Sequence, residues 1–393
     1  MRIVFVVPKF LAKNKPSTGL PNYIYRVSKA LMELGHTPIV ITAGEINENV
    51  KYNGIRVIRR SISTGYLKQH EILEYAIDTI KINYVLTKEL KKLCKSERID
   101  IIQFCSLRGL GSLYRGKVPS IMRLSSYAPE YYKYSETFSK KYIRLVGFFE
   151  RLSARNRDAI ISPSNVMANA FMKDTHKKVD TIETPFIDDT PQKDVGFYQK
   201  TLAGKKYFLF FGSLYAEKGI FVIAKIIERL LMDNPEFHFV FIGSVYSNGS
   251  KNPLKELYHE AGKCRDRVLY FKPLKHAALY PVVEHADYVV LPSLMDNFPN
   301  ACIEAMYFGR IVIGTDGTSF EQLITDGVSG FLAKPGDAKS LYLKIQQAMQ
   351  LSLEERKRIS ESAIHRISLL TPEIVVKQLI DYYRRVIEQK KRK

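Results

Sequence analysis

The sequence predicts an α/β protein of two doubly wound, mainly parallel sheets, and three observations carry the prediction. At 393 residues the chain is too long for one ordinary hydrophobic core. Two continuous apolar runs of strand length, 3–7 (IVFVV) and 207–211 (YFLFF), each open a separate series, as strands buried on both faces require. Each series then alternates apolar runs with helical stretches, the order that builds parallel sheets.

In the first series the run at 3–7 leads into a loop holding Pro8, Pro16, Gly19 and Pro21. A helix follows over about 22–34, ended by Gly35, and a strand begins at Ile39, which completes a βαβ unit. Further strands are expected at 55–58, 101–102, 121–122 and 159–161. Residues 130–157 interleave Tyr131, Tyr132, Tyr134, Tyr142, Phe148 and Phe149 with Lys140, Lys141, Arg144 and other cations. Such a segment fits a membrane interface, or a surface helix laying its aromatic stripe on the sheet, and the pattern leaves both open. Residues 184–192 have the composition of a linker, which puts the expected boundary near Asp189. The expected domains are 1–189 and 190–370, with a closing helix over 371–393.

In the second series the strand at 207–211 is followed by the turn GSLYAEKG (212–219), a helix over 220–232 and strands at 237–243 and 268–271. A helical stretch at 280–286 leads into YVVLPSLMDNFPNACIEAMYFGRIVIGTDG (288–317). This stretch reads as a strand over 288–291, a loop to Asn300, a helix over 301–308 ended by Gly309, and a strand from Ile311. Helices at 353–367 and 373–392 close the chain, the second introduced by Pro372. Asn300 is the expected N-cap of the helix, and Asn300 and Glu304, at i and i+4, share one of its faces. Asp296 and Glu304 thus flank a helix N-terminus, where backbone N–H groups attract anions and carboxylates accept bonds from hydroxyls, an arrangement suited to a nucleotide sugar. The plainer alternative makes Asp296 a turn residue and Glu304 an acid answering the helix dipole.

Lys+Arg 60 against Asp+Glu 40 gives a net charge of +20, which favours an anionic partner such as lipid headgroups or diphosphates. No helix-turn-helix, zinc-finger spacing or RNA-binding motif is present, so no nucleic-acid partner is expected. No apolar run approaches the roughly 18 residues of a membrane span, and the first strand lacks the features of a signal peptide. A cytoplasmic protein is expected. Cys94, Cys105, Cys264 and Cys302 have neither disulfide-framework nor zinc-ligand spacing, in keeping with a reducing compartment.

The stretch DNFPNACIEAMYFGRIVIGTDGTSFEQLITDGVSGFL (296–332) resembles the signature of retaining glycosyltransferase family 4, in which two acids separated by seven residues precede an alanine-methionine helix. Glu304 matches the second acid, and Asp296 stands where the first is usually Glu. The turn at 212–219 is similar to the family's phosphate-holding turn: Lys218 matches, while Ser213 replaces an Arg. GLPNYIYRVSKALMELGH (19–36) resembles its glycine-rich turn, with Gly19 retained where two small residues are usual. MRLSS (122–126) stands where the family often has a His.

The resemblance covers 1 to about 348. It implies the GT-B fold, two Rossmann-like domains facing a cleft, and transfer of a sugar from a nucleoside diphosphate sugar with retention. Asp296 and Lys218 would be catalytic, and Glu304 would hold the ribose. Asp296, Asn297 and Phe298 would orient the sugar, with Gly19, Gly212, Ser213, Lys218, Asn300 and Ala301 around the diphosphate and the nucleobase near 272–274. Arg123, Ser125, Lys140, Lys141 and Arg144 would lie on the acceptor or membrane side, facing a glycan or lipid-linked acceptor and an anionic membrane surface. No metal or other cofactor is implied, and the expected setting is cell-surface polysaccharide synthesis, peripheral to the membrane. The alternatives are a nucleotide-sugar epimerase of similar fold and a catalytically reduced subunit that binds donor or membrane.

Overall fold

The computed structural model describes residues 1–11, 19–62, 72–133, 138–188, 190, 192–247 and 252–392. Pro16 of the first loop, Tyr134 of the aromatic segment and the expected boundary residue Asp189 lie outside them. The chain divides into two compact units, one made of Met1–Lys133, Phe138–Ile187 and Leu370–Lys393, the other of Asp188–Leu369.

The first unit runs β1 (Arg2–Val7), α1 (Gly19–Glu33), β2 (Thr37–Gly44), β3 (Glu48–Tyr52), β4 (Ile55–Ser61), α2 (Ile72–Ser96), β5 (Ile101–Cys105) and β6 (Ser120–Arg123). It continues with α3 (Ala128–Tyr131), α4 (Lys140–Ala154), β7 (Ala159–Ser162), α5 (Asn165–Thr175) and β8 (Asp180–Thr181). Among the described residues these strands form one sheet in the order β3-β4-β2-β1-β5-β6-β7-β8. Every pairing is parallel except β3 with β4. Strand β3, ENVKY, escaped the sequence expectation because an edge strand facing water carries polar residues and no apolar run.

Helix α1 begins at Gly19, three residues before the expected start, so Gly19 and Leu20 are helical and not part of a turn. Pro21 sits in the first helical turn, where a missing N–H costs nothing. Residues 130–157 do not form one amphipathic helix. Ser139 caps α4 by accepting from the N–H of Tyr142 (3.2 Å), and α3 ends at Tyr131. The aromatic stripe packs on another helix, not on the sheet: Tyr142 and Phe149 meet Tyr75 of α2 with ring centroids at 5.2 and 6.3 Å.

The second unit runs α6 (Gly196–Thr201), β9 (Lys206–Phe211), α7 (Ile220–Asp233), β10 (Phe237–Ile242), α8 (Pro253–Glu260), β11 (Val268–Phe271) and α9 (His276–Glu284). It continues with β12 (Tyr288–Val290), α10 (Asn300–Tyr307), β13 (Ile311–Thr315), β14 (Phe331–Ala333), α11 (Ala338–Met349) and α12 (Leu353–Ser368). Its strands form a parallel sheet in the order β11-β10-β9-β12-β13-β14. The interior is dense in aromatic rings, with Phe208, Phe239 and Tyr288 fully buried. The last helix, α13 (Pro372–Lys391), belongs to the first unit, where Tyr383 Oη donates to Gln103 Oε1 (2.6 Å). Among the described residues no helix is long and apolar enough to cross a membrane.

Candidate active site

In the second unit the chain lays down β9, β10 and β11 to one side, then returns to place β12 on the other side of β9. The loops leaving β9 and β12 therefore diverge, and such a switch point opens a crevice at the carboxyl ends of the strands. Lys218 comes from the loop after β9 and Asp296 from the loop after β12. Their side chains form a salt bridge across 78 positions of sequence.

Gly219 makes that meeting possible. Its φ is +76°, and a Cβ there would stand 1.9 Å from the carbonyl oxygen of Pro292, so the two loops touch backbone to backbone. The N–H of Leu294 donates to the Glu217 carbonyl (2.8 Å) and fastens the same junction. Asp296 is held from two further directions: Oδ1 accepts from the N–H of Asn297 (2.9 Å), and its carbonyl accepts from Ser319 Oγ (2.8 Å). Burial would lower the pKa of the Lys218 ammonium, but the Asp296 carboxylate, aided by Tyr215 and Glu217, outweighs it and the pKa is raised. Lys218 is therefore a fixed cation at neutral pH.

Glu304 lies in α10, buried, with Oε1 3.8 Å from Nε2 of His276. His276 opens α9 and stacks on Tyr280, ring centroids 4.9 Å apart and ring planes nearly parallel. The sequence expectation missed His276, because nothing in its local pattern marks it; only the fold brings the start of α9 to α10. The expected N-cap also changes. Pro299 occupies the cap position in extended backbone, and Asn300 is the first helical residue. Proline presets the cap φ, and its carbonyl accepts from the N–H groups of Cys302 (3.1 Å) and Ile303 (3.2 Å). Pro299 itself makes no side-chain capping bond.

The structure brings Lys218, Asp296, Asn297, Phe298, Asn300, Ala301 and Glu304 to the loops and helix start that follow β9 and β12. Gly212 and Ser213 begin the loop after β9, and Gly212, at φ +129°, has open space where a Cβ would stand. Residues 272–274 form the turn after β11, at the same edge of the sheet.

The remaining expected residues are in the first unit. Gly19 is the first residue of α1. Arg123 ends β6 in the interior, with its guanidinium 3.7 Å from the Tyr23 ring centroid and Nη2 donating to Thr184 Oγ1 (2.8 Å). Burial lowers its pKa. The N–H of Ser125 donates to Ser106 Oγ (3.0 Å). Lys140, Lys141 and Arg144 are exposed on α4.

Comparison with known proteins agrees with this architecture. The family model "Glycosyltransferase Family 4" matches residues 17–186, and the model "Glycosyl transferases group 1" matches 197–366. The phosphatidylinositol N-acetylglucosaminyltransferase gpi3 subunit of Schizosaccharomyces pombe is 22% identical over 329 residues, 81% of this chain and 67% of that protein. The D-inositol 3-phosphate glycosyltransferase of Corynebacterium urealyticum is 26% identical over 179 residues, 44% of this chain, and the match spans 42% of that protein's length. Among solved structures, sucrose-phosphate synthase from Thermosynechococcus elongatus superposes with a TM-score of 0.77 at 16% identity, covering 99% of both chains. Anabaena HepE in complex with UDP and glucose gives 0.71 at 17% identity, covering 97% of this chain and 99% of the other. Likenesses of this kind speak for the fold, and the two family matches fall one in each unit. The chain belongs to glycosyltransferase family 4, the nucleotide-sugar-dependent transferases of GT-B fold.

Proposed function

We propose that the protein transfers a sugar from a nucleoside diphosphate sugar, with retention at the anomeric carbon, to a glycan or lipid-linked acceptor in cell-surface polysaccharide synthesis. The observation that carries this is the Lys218–Asp296 pair at the switch point of the second sheet, with Glu304 and the start of α10 close by in sequence and fold. Charge moves onto the diphosphate as the glycosidic bond breaks. Lys218 and the first-turn N–H groups of α10 at Asn300 and Ala301 stabilise that charge, in the place a divalent metal would otherwise take. The absent side chain at Gly212 lets the backbone of that loop, with Ser213, approach the phosphates. Glu304 accepts bonds from the ribose hydroxyls, Asp296, Asn297 and Phe298 orient the sugar, and the turn at 272–274 takes the base.

The first unit, with Arg123 at the end of β6 and Ser125 just beyond it, serves the acceptor side, and Gly19 at the start of α1 serves donor binding. The exposed cations Lys140, Lys141 and Arg144, with the net charge of +20, draw the protein to an anionic membrane surface. That the S. pombe relative is named for action on phosphatidylinositol supports a lipid-linked acceptor. The test is a panel of nucleotide sugars scored for nucleoside diphosphate release, with and without a lipid-linked acceptor. Acceptor-dependent release from one donor is expected. Isomerised nucleotide sugar without diphosphate release, or binding without turnover, would overturn the proposal.

A further inference from the structure

Helix α2 carries two apolar stripes where a surface helix needs one. Its inner face, including Tyr75, Thr79, Ile82, Leu86, Leu90 and Leu93, is buried against the rest of the first unit. On the opposite side Leu73, Ile77, Ile80 and Tyr84 are 72%, 41%, 55% and 60% exposed. Their spacing of four, three and four residues puts them on one line along the helix. The same line continues through Lys88, Lys91 and Lys95, all exposed. At about 1.5 Å per residue, an apolar stretch of roughly 17 Å is followed by a cationic stretch of roughly 11 Å. Four large apolar side chains held in water on a helix that already has its core contact mark a binding surface.

The neighbouring helix supplies charge. Tyr142 and Phe149 fix α4 against Tyr75, next to the apolar end of the stripe. On α4 itself Lys140, Arg144 and Phe148, at i, i+4 and i+8, share an exposed face, with Phe148 52% exposed. Tyr142 and Phe149 of α4 are thus engaged in packing, which leaves that helix its cations and one exposed ring, Phe148, set edge-on to Phe149.

We propose that α2 is the segment that enters the membrane: Leu73, Ile77, Ile80 and Tyr84 sink to the headgroup–acyl boundary of an anionic leaflet, while Lys88, Lys91 and Lys95 of α2 and the cations of α4 hold lipid phosphates. This rests on the membrane attachment proposed above and names the element that performs it. An anionic lipid surface fits the charge pattern better than a second copy of the chain. A parallel copy would set the three lysines against themselves, and an antiparallel one would lay them over the partner's apolar half.

The protein contains no tryptophan, so one introduced residue reports alone. Ile80→Trp and, as a control on the second unit, Leu353→Trp (Leu353 is 86% exposed) are mixed with vesicles of phosphatidylcholine alone or with phosphatidylglycerol, some carrying brominated acyl chains. With anionic vesicles the Ile80→Trp emission should shift to the blue and be quenched by bromine, and the Leu353→Trp emission should do neither. In the otherwise native chain, Ile77→Glu with Ile80→Glu should lower partitioning onto those vesicles at least tenfold, on the order of the loss from two buried aliphatic side chains, with an unchanged thermal melt. Sedimentation with anionic vesicles and no change in Ile80→Trp emission overturns insertion by α2 and leaves electrostatic attachment standing. Failure of the protein to sediment with anionic vesicles overturns both. A blue-shifted Ile80→Trp emission without vesicles, together with a dimer mass, overturns the proposal in favour of a second copy.

Discussion

If Lys218 holds the departing diphosphate, it must divide its charge between Asp296 and the phosphates, and removing the charge on either side should move nucleotide affinity in opposite directions. In the ligand-free protein the pair is largely withdrawn from water, with side chains 23% and 12% exposed. A charge-assisted bond in such a place contributes about 1.5–3 kcal/mol. Asp296→Asn preserves shape, frees the ammonium and removes a negative charge beside the phosphates. Nucleoside diphosphate should bind on the order of tenfold more tightly, about 1.4 kcal/mol, while the ligand-free protein loses roughly 1.5–3 kcal/mol of stability because a partly buried cation is left without its counter-charge. Transfer should slow, since the group that orients the sugar has lost its charge. Lys218→Met should weaken the same nucleotide by about tenfold or more. Isothermal titration with a panel of nucleoside diphosphates, beside thermal melts of all three proteins, measures each sign. Equal losses of affinity in both variants, or no change in either, would refute the reasoning.

Four further outcomes are expected. Transfer should survive exhaustive chelation; activity lost with chelator and restored only by magnesium or manganese would contradict the role given to Lys218 and the α10 N-terminus. Glu304→Gln should lower donor kcat/KM about tenfold or more in steady-state kinetics, with a melt near that of the wild type, because a charge-assisted bond to ribose is lost while the side-chain shape is kept. Gly219→Ala should destabilise the second unit and abolish nucleotide-induced stabilisation in the melt, since its Cβ would collide with the Pro292 carbonyl. Glu150 gives a pH signature: burial pushes its carboxyl from 4.5 up to about 8, against bonds from the N–H of Ala128 and from Ser126 and the charge of Arg151. Between those values the folded state keeps a proton that the unfolded state releases, so stability should be highest below the lower value and fall as pH rises through the upper one. Urea denaturation at pH 5 and 8 should show that loss, at most roughly a few kcal/mol, and Glu150→Gln should flatten it.

The sheets were legible because buried parallel strands are written as apolar runs: IVFVV and YFLFF became β1 and β9, each lengthened by one polar residue at its start. What escaped lacked that mark. Strand β3 is polar because it lies at an edge, and α10 starts one residue early because Pro299 accepts the cap role without a side chain. At the candidate site the sequence showed which residues could carry charge, since Asp296, Glu304 and Lys218 each stand in a recognisable local pattern. It did not show that Lys218 and Asp296 meet, which follows from the crossover that returns β12 to the side of β9 and from a glycine that lets two loops touch. His276 was invisible for the same reason. The aromatic segment at 130–157 attracted attention as a membrane element, yet Tyr142 and Phe149 pack on α2, and the exposed apolar stripe of α2 was hidden by a helix that reads as hydrophobic on more than one side.

The most direct test of the donor site is a crystal structure of the protein with a bound nucleoside diphosphate. Phosphate oxygens within hydrogen-bond distance of Lys218 Nζ and of the first-turn N–H groups of α10, with the ribose hydroxyls on the Glu304 carboxylate, are the result expected. A nucleotide bound elsewhere, with the Lys218–Asp296 pair undisturbed and Glu304 still beside His276, would contradict it.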